Sequence, residues 1–70
     1  MKSIQLDPND FAGPPGAWPT HCYTRMKDAG FKLKPLPTIL PTGGDVMACL
    51  EGAWQVTRGR LGILIVVQSD

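Results

Sequence analysis

The sequence contains only two cysteines and one histidine, and these small numbers exclude several kinds of site. Small disulfide-bonded domains normally carry two to four bridges, so two thiols do not make such a framework. A structural zinc ion needs four ligands, usually as two close pairs, whereas Cys22 and Cys49 lie far apart in the chain. We expect no metal site and two free thiols, while a Cys22–Cys49 bridge stays open because the sequence does not fix the redox compartment.

Long apolar runs are also missing. The longest spans residues 61–67, and these seven residues fall far short of the roughly 20 that cross a bilayer. Residues 1–7 lack the apolar core and the cleavage site of a signal peptide. These absences predict a soluble, cytoplasmic protein without a membrane partner.

Charge of either sign is scarce, with 19% charged residues and a net charge of +1. This balance excludes a strongly polybasic arm and an acidic mimic of nucleic acid. The apolar fraction of 43% is too high for a disordered tail. We therefore expect residues 1–70 to form a single small domain, which buries only about 60% of its unfolded surface. Such a chain has little room to wall a cofactor cleft, so we expect no cofactor and no enzymatic activity.

Proline and glycine are, by contrast, abundant, and they are concentrated in residues 8–19. Four prolines and two glycines in this segment preclude a regular helix or strand and predict a loop. A loop of this length is either packed by its own side chains or used for binding. Phe11 and Trp18 accordingly either close the core from one side or form an aromatic recognition loop.

A short helix is predicted at about residues 21–29. The hydroxyl of Thr20 can cap its first turn, and Gly30 stands where a left-handed cap would end it. So short a helix is not stable alone, and we expect it to lie on a sheet. Its apolar face would consist of Cys22, Met26 and Ala29.

Several segments show the alternation or the β-branched composition of strands. Residues 3–7 place Ile4 and Leu6 on one face, and residues 31–34 alternate apolar and basic side chains before Pro35. Residues 61–68 are apolar on both faces, which is typical of a central strand covered on both sides. A turn at 58–60 would pair them with residues 54–57 as a hairpin.

The middle of the chain is less determined. Residues 35–41 contain three prolines and predict an extended crossing, and Thr42-Gly43-Gly44 predicts a turn. Residues 45–57 fit a helix capped by Asp45, with an apolar stripe formed by Val46, Cys49, Leu50 and Ala53. They also fit strands at 46–50 and 53–57 joined at Glu51-Gly52, and the β-forming residues near position 56 slightly favour this hairpin.

Together these elements predict an α+β fold. One short helix, at about 21–29, packs on a small antiparallel sheet of three to four strands that ends in a C-terminal hairpin. One helix covers only one face of a strand that is apolar on both faces. The other face would be covered by residues 8–19 or by another chain, either a second copy in a homodimer or a different protein.

The function predicted from these features is that of a small, non-catalytic protein acting through a protein–protein surface. Compact chains without cofactors are often accessory proteins of mobile elements, so an inhibitor encoded by a phage is the expected example. Exposed aromatic side chains are typical anchors of such surfaces. The residues expected to bind the partner are Phe11, Trp18 and Trp54.

A weak nucleic-acid-binding protein is the alternative prediction. Its phosphate contacts would come from a basic patch, with aromatic side chains nearby for stacking on bases. A small enzyme built on Cys22 is a more distant hypothesis, because this thiol is predicted on the apolar face of the helix, where burial would silence it. The patch would consist of Arg25, Lys32, Lys34, Arg58 and Arg60, with Lys27 beside them.

Overall fold

The computed structural model describes residues 1–37 and 39–69. Within them the chain forms strand β1 (Lys2–Leu6), helix α1 (Trp18–Asp28), helix α2 (Gly43–Ala48), strand β2 (Trp54–Arg58) and strand β3 (Leu64–Gln68). The strands form an antiparallel sheet in the order β1-β3-β2, so the last strand lies at its centre. The predicted α+β class and the C-terminal hairpin are confirmed. Neither helix has the length and apolar character needed to cross a membrane in the part of the chain described.

Both helices pack on the same face of the sheet. The core joins Leu6 and Val66 of the sheet to Met26 of α1 and Val46 of α2. Side chains on the opposite face of β3, such as Ile65, are only half-buried. The loop before α1 packs against the start of that helix, with Phe11 against Trp18 and His21, so residues 8–19 do not cover this face, and coverage by another chain stays a prediction.

Helix α1 begins three residues earlier than predicted, at Trp18 instead of His21. Thr20 lies inside the first turn and is not the cap, since Ala17 occupies the N-cap position without a side-chain hydrogen bond. Pro19 is the physical reason for the early start, because its fixed φ suits the first turn and its missing N–H has no intrahelical partner there.

Gly30 ends α1 in a left-handed cap, as predicted, but Ala29 does not lie on the apolar face of the helix. Gly30 has φ +87°, and its N–H donates to the carbonyl of Lys27 at 3.0 Å. The N–H of Phe31 donates to the carbonyl of Met26 at 3.0 Å, which completes a Schellman motif. Ala29 is exposed, so it is not part of the apolar face, because the chain turns away at this cap.

Residues 45–57 are helix and strand in succession, and the favoured hairpin is wrong in its first half. Thr42 caps α2 through a capping box: its hydroxyl accepts from the N–H of Asp45 at 3.2 Å, and the Asp45 carboxylate accepts from the N–H of Thr42 at 2.8 Å. Thr42-Gly43-Gly44 is thus the cap and first turn of a helix and not an isolated turn. The stripe predicted for the helical alternative is buried at Val46, Cys49 and Leu50, but Ala53 is exposed.

The predicted strand at 31–34 does not join the sheet. It makes a single antiparallel bridge, from Leu33 to Leu50, because Pro35 has no N–H with which to extend a ladder. The side chain of Gln68 fastens this segment to the end of β3 by hydrogen bonds to Lys32. The predicted crossing at 35–41 includes Thr38, which lies outside the described residues.

The connection between β2 and β3 is longer than the predicted turn at 58–60. Residues 59–63 join the strands, and a 3-10 turn at Arg60–Gly62 contains Leu61 in the left-handed conformation, with φ +58°. The Leu61 side chain is 81% exposed, so it has little packing that could offset the cost of this conformation. The carbonyl of Leu61 accepts a hydrogen bond from the side chain of Asn9 at 3.3 Å.

Leu61→Asn is expected to raise the free energy of unfolding by about 0.5–1 kcal/mol, because asparagine adopts the left-handed conformation at lower cost than leucine. Leu61→Ala is the matched control, since alanine keeps the Cβ that causes the cost. Urea denaturation of the three proteins measures the difference. Equal stabilities of the Asn and Ala variants would contradict this account of Leu61.

Candidate binding cleft

A cleft of about 340 Å³ opens between the two helices and the sheet, at the end of the molecule where α1 begins. Its floor comes from β2 and β3, and its walls come from the first turns of α1 and α2. We call it the Trp18 cleft. Its lining consists of Trp18, Pro19, Cys22, Gly43, Gly44, Val46, Met47, Val56, Arg58 and Leu64.

The cleft exists because the helices cover the sheet unevenly. Leu6 of β1 and Val66 of β3 are fully buried beneath them, whereas Val56 of β2, on the same face, is only half-buried. Val56 and Leu64 are therefore accessible from the cleft, together with Met47 on α2. An enclosed space of about 150 Å³ is enough to bind a benzene ring, so this cleft has room for a large apolar group.

Trp18 forms one wall of the cleft and belongs to a cluster of three rings. Its ring centroid lies 5.6 Å from that of Phe11 and 5.6 Å from that of His21, and Phe11 and His21 are 4.6 Å apart. His21 is a member of this cluster that the sequence did not predict. Its signal is the spacing of three residues from Trp18, which places both rings on one helix face once Trp18 is known to be helical.

Trp18 meets the first expectation for the loop at 8–19, since it packs against the core, and a recognition role for Phe11 and Trp18 stays a prediction. Trp18 is half-buried and packs against the core, so it closes one side of the protein while also lining the cleft. On its other side Trp18 borders a second hollow of about 340 Å³, walled by Phe11 and by loop residues Pro8, Gly13 and Pro15. Among the described residues, its lining includes no charged side chain and no strand residue.

Trp54, the third predicted anchor, lies elsewhere. It is opposite Gln68 at the far end of β2, while Arg58 is opposite Leu64 at the cleft end. Arg58 is four residue steps along the strand from Trp54, which is a distance of roughly 13 Å. Trp54 is 42% exposed, so it can contact a partner only at a separate point from Phe11 and Trp18.

The basic residues are not brought to one face. Lys32 lies beside Gln68, at the opposite end of the sheet from Arg58 and Arg60. Lys34 follows on the same segment, where its N–H donates to the carbonyl of Cys49. Arg25 is set apart on α1, where it shares a polar hollow with the acidic residues Asp7 and Asp10. Arg58 is the member of this group that reaches the cleft.

Comparison with protein-family models, curated proteins and solved structures gave no match.

The state of the two cysteine thiols determines whether either could act as a nucleophile. Both thiols are free and buried, and burial raises the pKa of Cys22 from 9.0 to about 11, against a smaller opposing effect of a backbone hydrogen bond. A nucleophilic cysteine needs the opposite change, because the thiolate is the reactive form. The thiol of Cys49 donates to the carbonyl of Asp45 at 3.3 Å. No group of three metal-binding side chains occurs among residues 1–37 and 39–69.

Proposed function

We propose that this protein is a non-catalytic binding module that holds a side chain of a partner protein in the Trp18 cleft. The proposal rests on the composition of the cleft. Half-buried apolar side chains from both helices and from the sheet line it together. Rigid elements hold these side chains in place, which favours binding because little order is lost when a ligand enters. Occupying a partner's surface in this way is how a small accessory or inhibitor protein would act.

The residues with catalytic potential support the non-catalytic part of the proposal. Cys22 presents a protonated, buried thiol, and His21 is stacked on Trp18 and lies at a tilt against Phe11. A general base must lie within hydrogen-bond reach of the group that it activates. His21 instead borders the polar hollow with Asp7 and Arg25, away from the lining of the cleft.

The test is a variant that fills the cleft without disturbing the core. Peptides are selected for binding from a random library, and their Kd is measured by isothermal titration calorimetry. Gly43→Leu is expected to weaken binding at least tenfold, because Gly43 lines the cleft and leucine adds a large side chain at that position. The substitution causes no clash with the protein, since a Cβ at Gly43 meets nothing within 4 Å. The variant should fold, since leucine favours a helix more than glycine does.

Gly16→Leu is the matched control, because a Cβ at Gly16 also meets nothing within 4 Å and this residue lies outside the cleft. It is expected to leave the Kd unchanged. Failure to select any peptide, or equal affinity for both variants, would overturn the proposal. Trp18→Ala is less informative, because it would remove packing against the core together with the wall of the cleft.

The open face of the sheet is a weaker candidate for the expected homodimer. Three strands of five residues present a flat area of roughly 250 Å². A stable interface buries about 800 Å² on each partner, so this face alone does not suffice for a lasting dimer. Its side chains are uncharged and comprise Ser3, Gln5, Gln55, Thr57, Ile65 and Val67.

A further inference from the structure

The Trp18 cleft contains one charged side chain in an otherwise uncharged lining. Nine of the ten residues around it are apolar or glycine, and the tenth is Arg58. Arg58 is the last residue of β2 and lies on the same face of the strand as Val56, because side chains alternate along a strand. A cation in an apolar cleft favours a ligand that carries a negative charge next to an apolar group.

The protein supplies no anion to this arginine in the part of the chain that the structure describes. No acidic residue of the ranges 1–37 and 39–69 lines the cleft. Asp45, in the first turn of α2, is engaged locally, because its carboxylate accepts hydrogen bonds from the N–H and the hydroxyl of Thr42 at 2.8 and 3.0 Å. These hydrogen bonds lower the pKa of Asp45, which keeps the carboxylate ionised within its own capping box.

We infer that the bound segment of the partner protein carries a carboxylate next to a large apolar side chain, with the apolar group in the Trp18 cleft and the carboxylate on Arg58. This inference rests on the proposed function and names the chemistry of its ligand. The guanidinium offers two parallel N–H donors, which match the two oxygens of a carboxylate. A single arginine is a poor basis for tracking a phosphate backbone, which needs several cations.

The experiment uses three acetylated hexapeptides that differ at two central positions: Phe-Asp, Phe-Asn and Ala-Asp. We expect Phe-Asp to bind wild-type protein about tenfold more tightly than either of the others. Arg58→Gln should abolish the difference between Phe-Asp and Phe-Asn. Arg60→Gln is the matched control, because Arg60 lies two residues after Arg58, in the connection between β2 and β3 and outside the cleft, and it should preserve the difference.

Equal binding of Phe-Asp and Phe-Asn, or an unchanged difference in Arg58→Gln, would overturn the role of the carboxylate. If Gly43→Leu still weakens peptide binding when either of these results is obtained, the proposed function remains supported. Absence of binding by all three hexapeptides would also overturn the inference, while the library selection tests the proposed function separately. Binding of phenylpropionate as tight as that of the Phe-Asp peptide would assign the cleft to a small acid and overturn the partner segment.

Discussion

Gln68→Ala is expected to lower the free energy of unfolding by about 2–4 kcal/mol, although it removes a polar side chain from the last residue of a strand. Gln68 is only 2% exposed. Its side-chain oxygen accepts from the N–H of Lys32 at 2.9 Å, and its amide nitrogen donates to the carbonyls of Lys32 at 2.8 Å and Glu51 at 3.0 Å. Alanine would leave all three backbone groups without these partners in a partly buried position.

The effect is expected to be large because Gln68 makes hydrogen bonds from the sheet to two segments that lie outside it. Lys32 and Glu51 flank the isolated bridge between Leu33 and Leu50, and the amide of Gln68 continues their hydrogen-bonding pattern to the end of β3. Loss of the amide would therefore loosen the attachment of both segments to the sheet.

Gln55→Ala is the control for Gln68→Ala, since Gln55 lies on the open face of β2 and is exposed. It should change stability by less than about 0.5 kcal/mol. Gln68→Glu keeps the shape of the side chain but removes both donors, so it should destabilise at least as much as alanine at neutral pH. Urea denaturation followed by circular dichroism measures all three. A loss in Gln68→Ala no larger than that in Gln55→Ala would show that the buried amide has no such role.

This amide also shows why parts of the fold could not be predicted from the sequence. A glutamine at the end of a strand pattern is typical of an exposed position. Its partners, Lys32 and Glu51, are distant in the sequence, and only the packed chain brings them together. The alternation at 31–34 correctly predicted that Phe31 is buried and Lys32 exposed, but it could not show that the ladder stops after a single bridge.

Local signals in the sequence determine both the central strand and the start of α2. The β-branched run after Leu61 predicted a central strand because both faces are apolar, and β3 occupies that place. The start of α2 was also available locally, since Thr42 and Asp45 have the spacing of a capping box. Two adjacent glycines obscured it, because they are unfavourable in a helix and common in turns.

The cleft depends on long-range packing. The sequence predicts Trp18 as an aromatic residue in a loop and Arg58 as part of a basic patch. Their place in one cleft follows from the register of β2 with β3 and from the uneven coverage of the sheet by the helices. Neither the strand register nor the coverage of the sheet can be read from the spacing of residues along the chain. The sequence therefore predicted Trp18 and Arg58 as functional residues but not that they line the same cleft.

Met26→Ala is expected to lower the free energy of unfolding by about 2–5 kcal/mol, which is the usual cost of truncating a fully buried side chain of this size. Met26 is 0% exposed and packs in the cluster that joins α1 to α2 and the sheet. A chain of 70 residues has a total stability of roughly 3.5–10 kcal/mol. The substitution should therefore unfold a substantial fraction of the protein at moderate temperature.

Two further variants separate the loss of packing from other effects. Met26→Leu conserves volume and should cost less than about 1.5 kcal/mol. Met47→Ala removes a half-buried methionine that lines the Trp18 cleft, so it should cost less stability than Met26→Ala. Thermal and urea denaturation rank the three, and equal losses in the two alanine variants would contradict the assignment of Met26 to the core. Met47→Ala also tests the proposed function, because it should weaken peptide binding in a protein that remains folded.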